Sequence, residues 1–430
     1  MTAELYTRPG QERRKFSLDE ISVLLGALGE PQRRIRSVLI GGTNGKGSTA
    51  STLASILMSA GIRAGLYTSP HLSRVNERIR IGDAEIADEE FARLYFRVHD
   101  AAHKLVQEQK LPQLPSFFEV LTAIALLYFD EAKVELAVLE VGMGGRLDAT
   151  NIVEPVVTVI TDISLDHTEW LGETITAISH EKAGILRREG TLITLPQHPE
   201  ANQVLGEVAG ELNVRGVNAA AYMPAVWAGA NGSYSVEALG ATVEVDSPLA
   251  GVHQQRNIAL AIATAVELAT THGFPITPAA IADGIRRTRW PGRLERIMVN
   301  GVEWILDVAH NPAGAWALRS GLTGILSELR PRQVIFSCLR DKPINEMAQI
   351  LFPLFDRVIF APIHSSRAAG LPELEAAARA TGTPSFSAGS VHEALLRAKE
   401  ESVTGQVVIS GSVYLVGEAR GLLLAGVDEL

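Results

Sequence analysis

The sequence contains a single cysteine, Cys338, among its 430 residues. One thiol cannot form an internal disulfide and leaves no cysteine cluster for a metal, which is typical of a protein from a reducing compartment. We expect Cys338 to be a buried, small apolar side chain.

Long apolar runs and a signal peptide are also missing. No run approaches the roughly 20 apolar residues that a membrane-spanning helix needs. Residues 1–11 lack the apolar region of a secretory signal. We therefore expect a cytoplasmic, globular chain outside the membrane. Internal repeats and low-complexity tracts are absent as well.

Positive charge is scarce, because 39 Lys and Arg against 49 Asp and Glu give a formal net charge of −10. This balance disfavours non-specific binding to nucleic acid. An anionic ligand would need local cations, for which Arg74, Arg78 and Arg80 are candidates. We expect a monomer with neither a nucleic-acid nor a membrane partner.

Apolar residues are plentiful, at 46% of the chain, and the length favours two or three domains. From about residue 36 to 190, short β-rich runs alternate with longer amphipathic stretches, which predicts a mainly parallel α/β sheet. The predicted strands are Val38–Ile40, Gly65–Tyr67, Ala137–Leu139 and Val156–Thr161.

Residues 191–250 have a different pattern from residues 36–190. Gly, Asn and Ser turns separate segments in which polar and apolar residues alternate, such as Tyr234–Leu239 and Thr242–Val245. We predict a small antiparallel appendage there. Asn257 then opens an alanine-rich helix. Residues 286–293, which contain Pro291 and Gly292, are interpreted as a linker.

The linker divides the chain into a predicted first domain, residues 1–288, and a second, residues 289–430. The second begins with a predicted hairpin around Asn300-Gly301, a pair that suits a type I′ turn. Helical segments separate its later strands, so it is also α/β. The predicted strands are Glu295–Val299, Val302–Asp307, Val334–Ser337, Arg357–Ala361 and Val407–Ser410.

A glycine-rich stretch, Gly41–Thr49, joins the first predicted strand to a helical pattern at Ser48–Ala60. Its glycines let backbone N–H groups turn toward one anion, which is the arrangement of a nucleotide phosphate cradle. Lys46 would meet the β- and γ-phosphates. Ile40 replaces the first glycine of the strict P-loop pattern and Gly47 follows the lysine, so an ordinary turn with a solvated lysine is the alternative.

A carboxylate, Glu140, ends a buried strand just before a second glycine-rich turn. Ligands bind at that edge of an open α/β sheet. Glu140 can therefore hold a Mg²⁺ that bridges nucleotide phosphates. The alternative is a carboxylate that caps the turn.

Three further side chains are weaker candidates on pattern alone. Ser69 follows the strand after the cradle helix, so its hydroxyl can reach the same edge. His167, after Asp166, follows another strand, and imidazole is a less common Mg²⁺ ligand than carboxylate. Lys182 lies on a helical pattern that would ordinarily leave it solvated.

In the second domain, Asp307 and His310 follow a predicted strand. Asn311 and Pro312 are typical of an N-cap and a first helical residue. The Asp and His can serve ligand binding or capping, and both interpretations stay open.

Together these segments resemble the folylpolyglutamate synthase and dihydrofolate synthase family, a branch of the Mur-type ligases that join amino acids to carboxylates with ATP. Gly42–Ser48 resembles the family's ATP loop, and Leu139–Asn151 resembles its second signature. The resemblance covers most of the chain. It implies a Mur-ligase-like ATP-binding domain with a P-loop and a smaller Rossmann-like glutamate ligase domain.

The resemblance also implies ATP, two magnesium ions and, as an option, a monovalent cation. Ser69, Glu140 and His167 match its magnesium ligands. Lys182 matches a lysine that the family carbamylates, which turns a cation into an anion near the magnesium and requires a depressed lysine pKa. The implied ATP contacts are Thr43, Asn44, Gly45, Lys46, Gly47, Ser48, Asn257, Arg293 and Asp307.

For the pterin substrate, the resemblance implies a place between the N-terminal segment Phe16-Ser17-Leu18, the Ser-Pro-His loop and an aromatic-acid motif. Phe118 would pack on the ring. His310 and Ser412 match positions associated with the incoming glutamate or the folate tail. The implied pterin contacts are Ser116, Phe117, Phe118, Glu119, Asp148 and Ala149.

Two positions depart from the family pattern. Val308 replaces the glycine usual between Asp307 and the following alanine, and Pro343 replaces the acid usual after Asp341-Lys342. Both concern the second domain and leave the ATP loop untouched.

The implied reaction starts with attack of a carboxylate on the γ-phosphorus of ATP, stabilised by magnesium and Lys46. The amine of L-glutamate then attacks the acyl phosphate, and His310 accepts the amine proton. Asp307 is predicted to be a further catalytic residue. The domains should close first, with residues 286–291 as hinge.

The acyl acceptor is dihydropteroate, a reduced folate that already bears glutamate, or both. A Mur-type ligase for another carboxylate is an alternative, although only about 40 residues precede the ATP loop, too few for a uridine-diphosphate-binding domain. A nucleotide switch that signals by closure is a non-enzymatic alternative.

Overall fold

The computed structural model describes residues 17–225, 233–323, 325–326, 331–401 and 405–425. Residues 1–11 and Phe16, to which predictions were attached, lie outside these ranges. Across the described ranges, no helix combines the length and apolarity that crossing a bilayer requires.

The first lobe is built on a mixed sheet. Its described strands are β1 Ser37–Gly41, β2 Ala64–Tyr67, β3 Ile79–Ile81, β4 Ala84–Glu85, β5 Leu136–Glu140, β6 Val157–Ile160, β7 Thr191–Thr194 and β8 Arg215–Asn218. They run in the order β4-β3-β2-β5-β1-β6-β7-β8, parallel except for β3 and β4 at one edge. Burial of β1 and β5 along their whole length explains why their sequences are apolar without alternation.

Helices cover both faces of this sheet. Those described are α1 Asp19–Ala27, α2 Lys46–Ser59, α3 Asp88–Gln107, α4 Phe117–Glu131, α5 Thr168–Leu171, α6 Ile175–Ala183, α7 Pro199–Glu211, α8 Val252–Thr270 and α9 Pro278–Arg287. Apolar residues of α1, α3 and α4 form the core on one face. Those of α2, α8 and α9 form the core on the other.

Predictions for the first lobe hold at the strands and fail at one helix start. All four predicted strands are present, within a residue or two of their predicted ends, and α2 follows β1 as expected. Asn257 does not open the alanine-rich helix, because α8 already begins at Val252 and Asn257 lies inside it.

The predicted antiparallel appendage at residues 191–250 is correct only for its last part. Strands β7 and β8 extend the main sheet in parallel, joined by α7. Only β9 Tyr234–Ala238 and β10 Ala241–Val245 form an antiparallel pair. The helix was missed because Gly206 and Gly210 lie inside it, and glycine weakens a helical signal.

The second lobe has its own sheet. Its described strands are β11 Glu295–Val299, β12 Val302–Leu306, β13 Gln333–Phe336, β14 Arg357–Phe360, β15 Ser385–Ser387 and β16 Gln406–Ser410, in the order β11-β12-β16-β13-β14-β15. The hairpin β11–β12 turns at Asn300 (φ 51°) and Gly301 (φ 79°), which confirms the predicted primed turn. The remaining pairs are parallel.

The helices of this lobe are α10 Pro312–Thr323, α11 Ile344–Leu351, α12 Leu371–Thr381, α13 Val391–Glu401 and α14 Val413–Leu424. Asn311 Oδ1 accepts the backbone N–H of Gly314 at 2.7 Å, so Asn311 is the predicted N-cap. Cys338 is fully buried, as expected. The boundary between residues 288 and 289 stays a prediction.

The Ser-Pro-His loop after β2 lies where the two lobes meet. Leu72 packs against the apolar core of the second lobe. Ser73 Oγ donates to the carbonyl of Gly417 at 3.3 Å. Gly417 lies in α14, and a Cβ there would be 2.0 Å from the carbonyl oxygen of Leu72. Helix α14 can therefore pack this closely against the loop only with glycine at position 417. The contact places Ser69 beside both lobes.

Candidate active site

A cleft between the lobes collects most of the predicted site residues. Its empty volume is about 1080 Å³ when counted to the open mouth, which is enough for a nucleotide. The predicted residues that line it are Thr43, Asn44, Gly45, Lys46, Gly47, Ser48, Ser69, Glu140, His167, Lys182, Asn257, Arg293, Asp307 and His310.

The glycine-rich loop is held in place by the segment that follows β6. The backbone N–H groups of Thr43 and Asn44 donate to the carbonyl of Asp162 at 2.8 and 3.2 Å. Helix α2 starts at Lys46, so its first N–H groups, which have no partner inside the helix, face the cleft. Lys46 Nζ donates to the carbonyls of Gly42 and Thr43 at 3.2 and 3.1 Å. This arrangement suits a phosphate group.

Replacing Gly45 with alanine is expected to weaken ATP binding and stability together. Gly45 has φ +90°, and a Cβ there would lie 2.1 Å from Oδ1 of Asn257, which is itself buried. We expect about tenfold weaker binding, or about 1.4 kcal/mol. The left-handed conformation should cost a further 1 to 2 kcal/mol, roughly, in free energy of unfolding. Calorimetry with a non-hydrolysable ATP analogue and thermal unfolding would measure the two effects.

Gly61→Ala is the matched control for this prediction. Gly61 follows the other end of α2 with φ +76°, and a Cβ there meets nothing within 4 Å. The control should lose stability but keep ATP affinity. Equal ATP affinities for the two variants would contradict the proposed cradle.

The three predicted magnesium ligands line the same cleft, and two of them are in direct contact. Glu140 Oε2 accepts the backbone N–H of Ser69 at 2.9 Å. Burial raises the pKa of Glu140, while the nearby Lys46 cation opposes this rise. Burial lowers the pKa of His167 to about 4, so its imidazole is neutral at pH 7 and free to act as a ligand.

The chemistry of this set fits magnesium better than zinc. In the described part of the chain, no group of three or more His, Cys, Asp or Glu side chains is placed to hold a metal. Magnesium usually keeps several waters and takes only one or two carboxylates plus substrate phosphates. A structural zinc would need a fuller set of protein ligands.

Lys182 is the largest departure from the pattern-based prediction. It is only 4% exposed rather than solvated, and its Nζ donates to the carbonyl of Gly42 at 2.7 Å. Burial, followed by the charge of Lys46, lowers the pKa of Lys182 to about 7. The helix can approach this closely because Gly145 faces it, where a Cβ would lie 3.0 Å from the Lys182 Cα.

The second lobe contributes two opposite charges to the cleft, those of the buried Asp307 and the partly buried Arg293. Asp307 accepts the backbone N–H groups of Leu294 and Ala309, each at 2.9 Å. Burial raises the pKa of Asp307, and the charge of Arg293 opposes this. Burial likewise lowers the pKa of Arg293, with Asp307 opposing. The two side chains therefore stabilise each other's charged form at the cleft.

His310 lies beside this pair. Its Nδ1 donates to the carbonyl of Val308 at 2.9 Å, which leaves Nε2 unprotonated when the ring is neutral. Burial lowers the pKa of His310 and favours that neutral form. The departure Val308 is accommodated, since its side chain packs on Gly292 and its N–H donates to the Gly292 carbonyl at 3.0 Å.

Comparison with known proteins agrees with this geometry. Residues 40–265 match the Mur ligase middle domain, and residues 292–413 match the Mur ligase glutamate ligase domain. Folylpolyglutamate synthase of Lacticaseibacillus casei is 37% identical over 410 residues, 94% of each chain. Dihydrofolate synthase/folylpolyglutamate synthase of Bacillus subtilis is 34% identical over 412 residues, again 94% of each.

The fold also matches that of a solved structure. Mycobacterium tuberculosis folylpolyglutamate synthase, complexed with ADP and AMPPCP, superposes with a TM-score of 0.87 at 33% identity, covering 98% of this chain and 97% of that one. The chain belongs to the folylpolyglutamate synthase family. It is an ATP-dependent ligase with the α/β architecture of the Mur ligases.

The residues predicted to touch pterin in this synthase do not line the cleft in the described structure. Ser116 and Glu119 form a capping box at the start of α4. Phe118 packs against Tyr67, with ring centroids 5.9 Å apart, and fills the space beside Gly142.

The remaining predicted substrate residues have structural partners as well. The ring of Phe117 lies 5.3 Å from the Arg78 guanidinium. Asp148, next to the buried Ala149, accepts N–H groups of Met143 and Thr150 at 2.9 and 3.0 Å and braces the second glycine-rich turn. Ser412 Oγ accepts the N–H of Tyr414 as the N-cap of α14. Their substrate roles stay predictions.

Of the three candidate cations, only Arg78 lies inside the synthase near the site. Arg74 pairs with Asp88 on the surface. Arg80 donates to the carbonyl of Asp83. Arg78 is 8% exposed, donates through Nε to His71 Nδ1 at 2.8 Å, and has no carboxylate partner among the described residues.

Sequence reasoning missed two other features of the synthase cleft. Trp290 of the linker lies against Gly47, where a Cβ would be 2.6 Å from its ring, so the linker contacts the ATP loop directly. Asp166, noted only as the neighbour of His167, lines the cleft and bonds to Asn311 and Lys342 of the second lobe. Neither feature has a local signal, since both depend on docking of the lobes.

Proposed function

We propose that this synthase joins L-glutamate to dihydropteroate and to the glutamate tail of reduced folates, through an acyl phosphate. One observation supports this most. Lys46 and Glu140 of the first lobe face Arg293 and Asp307 of the second across a single cleft. A nucleotide bound there would meet cations from both sides, and an acyl acceptor could enter beside its terminal phosphate.

In the proposed first step, a substrate carboxylate oxygen attacks the γ-phosphorus of ATP. A new bond from oxygen to phosphorus forms, the bond to the β-phosphate oxygen breaks, and ADP leaves. Lys46 stabilises the charge on the transferred phosphoryl group, while the N–H groups at the start of α2 hold the phosphates. Arg293 would neutralise charge from the opposite side, with the charge of Asp307 favouring its ionised form.

Magnesium fits the residues at the strand ends. Glu140, Ser69 and His167 would hold it, with the remaining positions left to water and phosphate oxygens. When bound, it supplies Lewis-acid stabilisation of the phosphoryl charge. A second magnesium ion and a monovalent cation stay predictions.

Lys182 is proposed to carry a carbamate. Its neutral amine attacks CO₂, the new N–C bond forms, and the nitrogen loses a proton to give an anion. The lowered pKa of Lys182, to about 7, makes the neutral amine accessible at physiological pH. A buried anion at this point would favour divalent cations in the cleft.

In the proposed second step, the amine of L-glutamate attacks the carbonyl carbon of the acyl phosphate. The tetrahedral intermediate collapses to an amide as phosphate leaves. The nitrogen must lose a proton, and the unprotonated Nε2 of His310 is a candidate acceptor. Ser412 is kept as a candidate contact for the substrate tail.

The names of the relatives support two acceptors. The Lacticaseibacillus casei relative is named folylpolyglutamate synthase, whereas the name of the Bacillus subtilis relative includes both activities. The proposal for this chain includes both activities in turn. A monomeric state and a cytoplasmic location stay predictions from the sequence.

An omission assay tests the proposed function. Phosphate release from MgATP should require both L-glutamate and an acyl acceptor, and should fall to background when either is left out. Parallel reactions with dihydropteroate and with tetrahydrofolate, read by mass spectrometry, should each show a product heavier by one glutamyl group. Phosphate release that is indifferent to glutamate would contradict ligation, and a product from only one acceptor would remove the second activity.

A further inference from the structure

Several side chains of the second lobe contact one carboxylate of the first lobe, that of Asp166. Lys342 Nζ lies 2.8 Å from Asp166 Oδ1, and the two side chains are only 6% and 9% exposed. Asn311 Nδ2 donates to Asp166 Oδ2 at 2.9 Å, and His310 Nε2 lies 3.8 Å from the same oxygen. Both oxygens of Asp166 are therefore engaged by the opposite lobe.

Asp166 is also tied to the ATP site. Its Oδ1 accepts the backbone N–H of His167 at 2.9 Å. His167 has φ +50°, a left-handed conformation that residues other than glycine adopt only when their surroundings hold them there. Asn311 Nδ2 lies 3.2 Å from Oδ1 of Asn44 in the ATP loop as well.

This network can exist only when the lobes are docked. Asp166 lies in a loop of the first lobe and Lys342 in a loop of the second, so separation of the lobes would hydrate both charges and free the carboxylate that holds His167. Removing one partner of a buried ion pair leaves the other charge without compensation. The contacts at Asp166 are therefore either made together or lost together.

We propose that Asp166 is a positioning residue that couples docking of the second lobe to the placement of His167. The inference rests on the proposed function, in which His167 is a magnesium ligand. In the docked state Lys342 and Asn311 fix the carboxylate, and the carboxylate fixes the backbone of His167. In the open state the magnesium site is incomplete, so ATP is not spent before the acyl acceptor and glutamate are enclosed.

Two variants test the coupling without replacing a proposed magnesium ligand. Lys342→Met removes the cation while keeping most of the side-chain length. Asn311→Asp is isosteric and keeps the oxygen that caps α10 through Gly314, but it sets a second carboxylate against Asp166. Arg420→Met is the matched control, because it breaks a half-buried pair with Glu295 inside the second lobe.

Three measurements on the full-length enzyme distinguish positioning from loss of structure. These are kcat, the half-saturating magnesium concentration, and the ATP hydrolysed per amide formed. We expect both variants to lose about 10- to 100-fold in kcat. Their half-saturating magnesium concentration should rise about 10- to 100-fold, as for loss of a residue that orients a ligand. The ATP consumed per amide should increase, and Arg420→Met should match the wild type in all three.

Unfolding of part of the sample would lower kcat but leave the half-saturating magnesium concentration unchanged. An unchanged magnesium requirement in both variants therefore overturns the inference, whatever happens to kcat. A wild-type enzyme that releases no phosphate on addition of glutamate refutes the proposed function itself. A ligating wild type beside variants with normal magnesium dependence refutes the coupling alone.

Discussion

Replacing Lys182 with alanine is expected to lower kcat by about 100- to 1000-fold, as for loss of one preorganised charged group. The expectation follows from its position, since Lys182 is 4% exposed and its amine donates to the Gly42 carbonyl at the base of the ATP loop. A carbamate there would be an anion beside the proposed magnesium. Steady-state ligation assays with saturating substrates measure the loss.

Chemical rescue separates a carbamate from a simple structural lysine. Short carboxylates such as acetate should partly restore Lys182→Ala, because they can occupy the space left by the side chain and replace the anion. Lys133→Ala is the surface control, with a side chain that is 79% exposed, and it should keep full activity. Near-normal turnover of Lys182→Ala, or an equal effect of acetate on Lys182→Ala and Lys133→Ala, would contradict the proposed carbamate.

The same assay has a defined pH dependence. Burial, with a smaller effect of Lys46, lowers the pKa of Lys182 from 10.5 to about 7. Only the neutral amine reacts with CO₂, so activation by added bicarbonate should weaken as the pH falls below 7. In CO₂-free buffer the unfolded chain binds the extra proton between pH 7 and 10.5, so this group makes the free energy of unfolding increase with pH across that window.

The strands that carry the site could be predicted because of where they lie in the sheet. Strands β1 and β5 are covered by helices on both faces, so their sequences are short, continuous apolar runs. Parallel strands also end at a common edge, which is why Glu140 and the ATP loop could be placed together. The register confirms it, with Ile40 opposite Glu140.

The burial of charge could not be predicted in the same way. Helix α6 carries polar residues of ordinary pattern, and Lys182 is buried because this helix packs on the turn at Gly145 and its amine contacts the Gly42 carbonyl. The ion pair of Asp166 with Lys342 joins residues that are 176 positions apart. No local pattern reports either contact, because the first forms only when the first lobe folds and the second only when the two lobes dock.

One short motif shows how a sequence pattern can have two meanings. Ser116-Phe117-Phe118-Glu119 was interpreted as a substrate contact through family resemblance. It also fits the pattern of a capping box, and Glu119 Oε2 accepts the Ser116 N–H at 2.7 Å. The helix start explains Ser116 and Glu119 without any ligand, whereas Phe117 is only partly buried and its ring lies 5.3 Å from the Arg78 guanidinium.

Replacing Glu140 with glutamine is expected to lower kcat by about 100- to 1000-fold, comparable to removal of a key electrostatic group. Glutamine keeps the size of the side chain and an oxygen that can accept the Ser69 N–H, so the loop after β2 should hold its place. The negative charge is lost, and with it the attraction for magnesium. The half-saturating magnesium concentration should therefore rise together with the fall in kcat.

Glu135→Gln is the matched control, because Glu135 precedes the same strand at its opposite end and accepts the backbone N–H of Arg63 at 2.7 Å. The two variants make the same chemical change beside β5, but only Glu140 faces the cleft. Binding of ATP without magnesium should survive in both, since Lys46 and the N–H groups of α2 remain. A Glu140→Gln enzyme with the wild-type magnesium dependence would place the metal elsewhere, because charge, not shape, is all that the substitution removes.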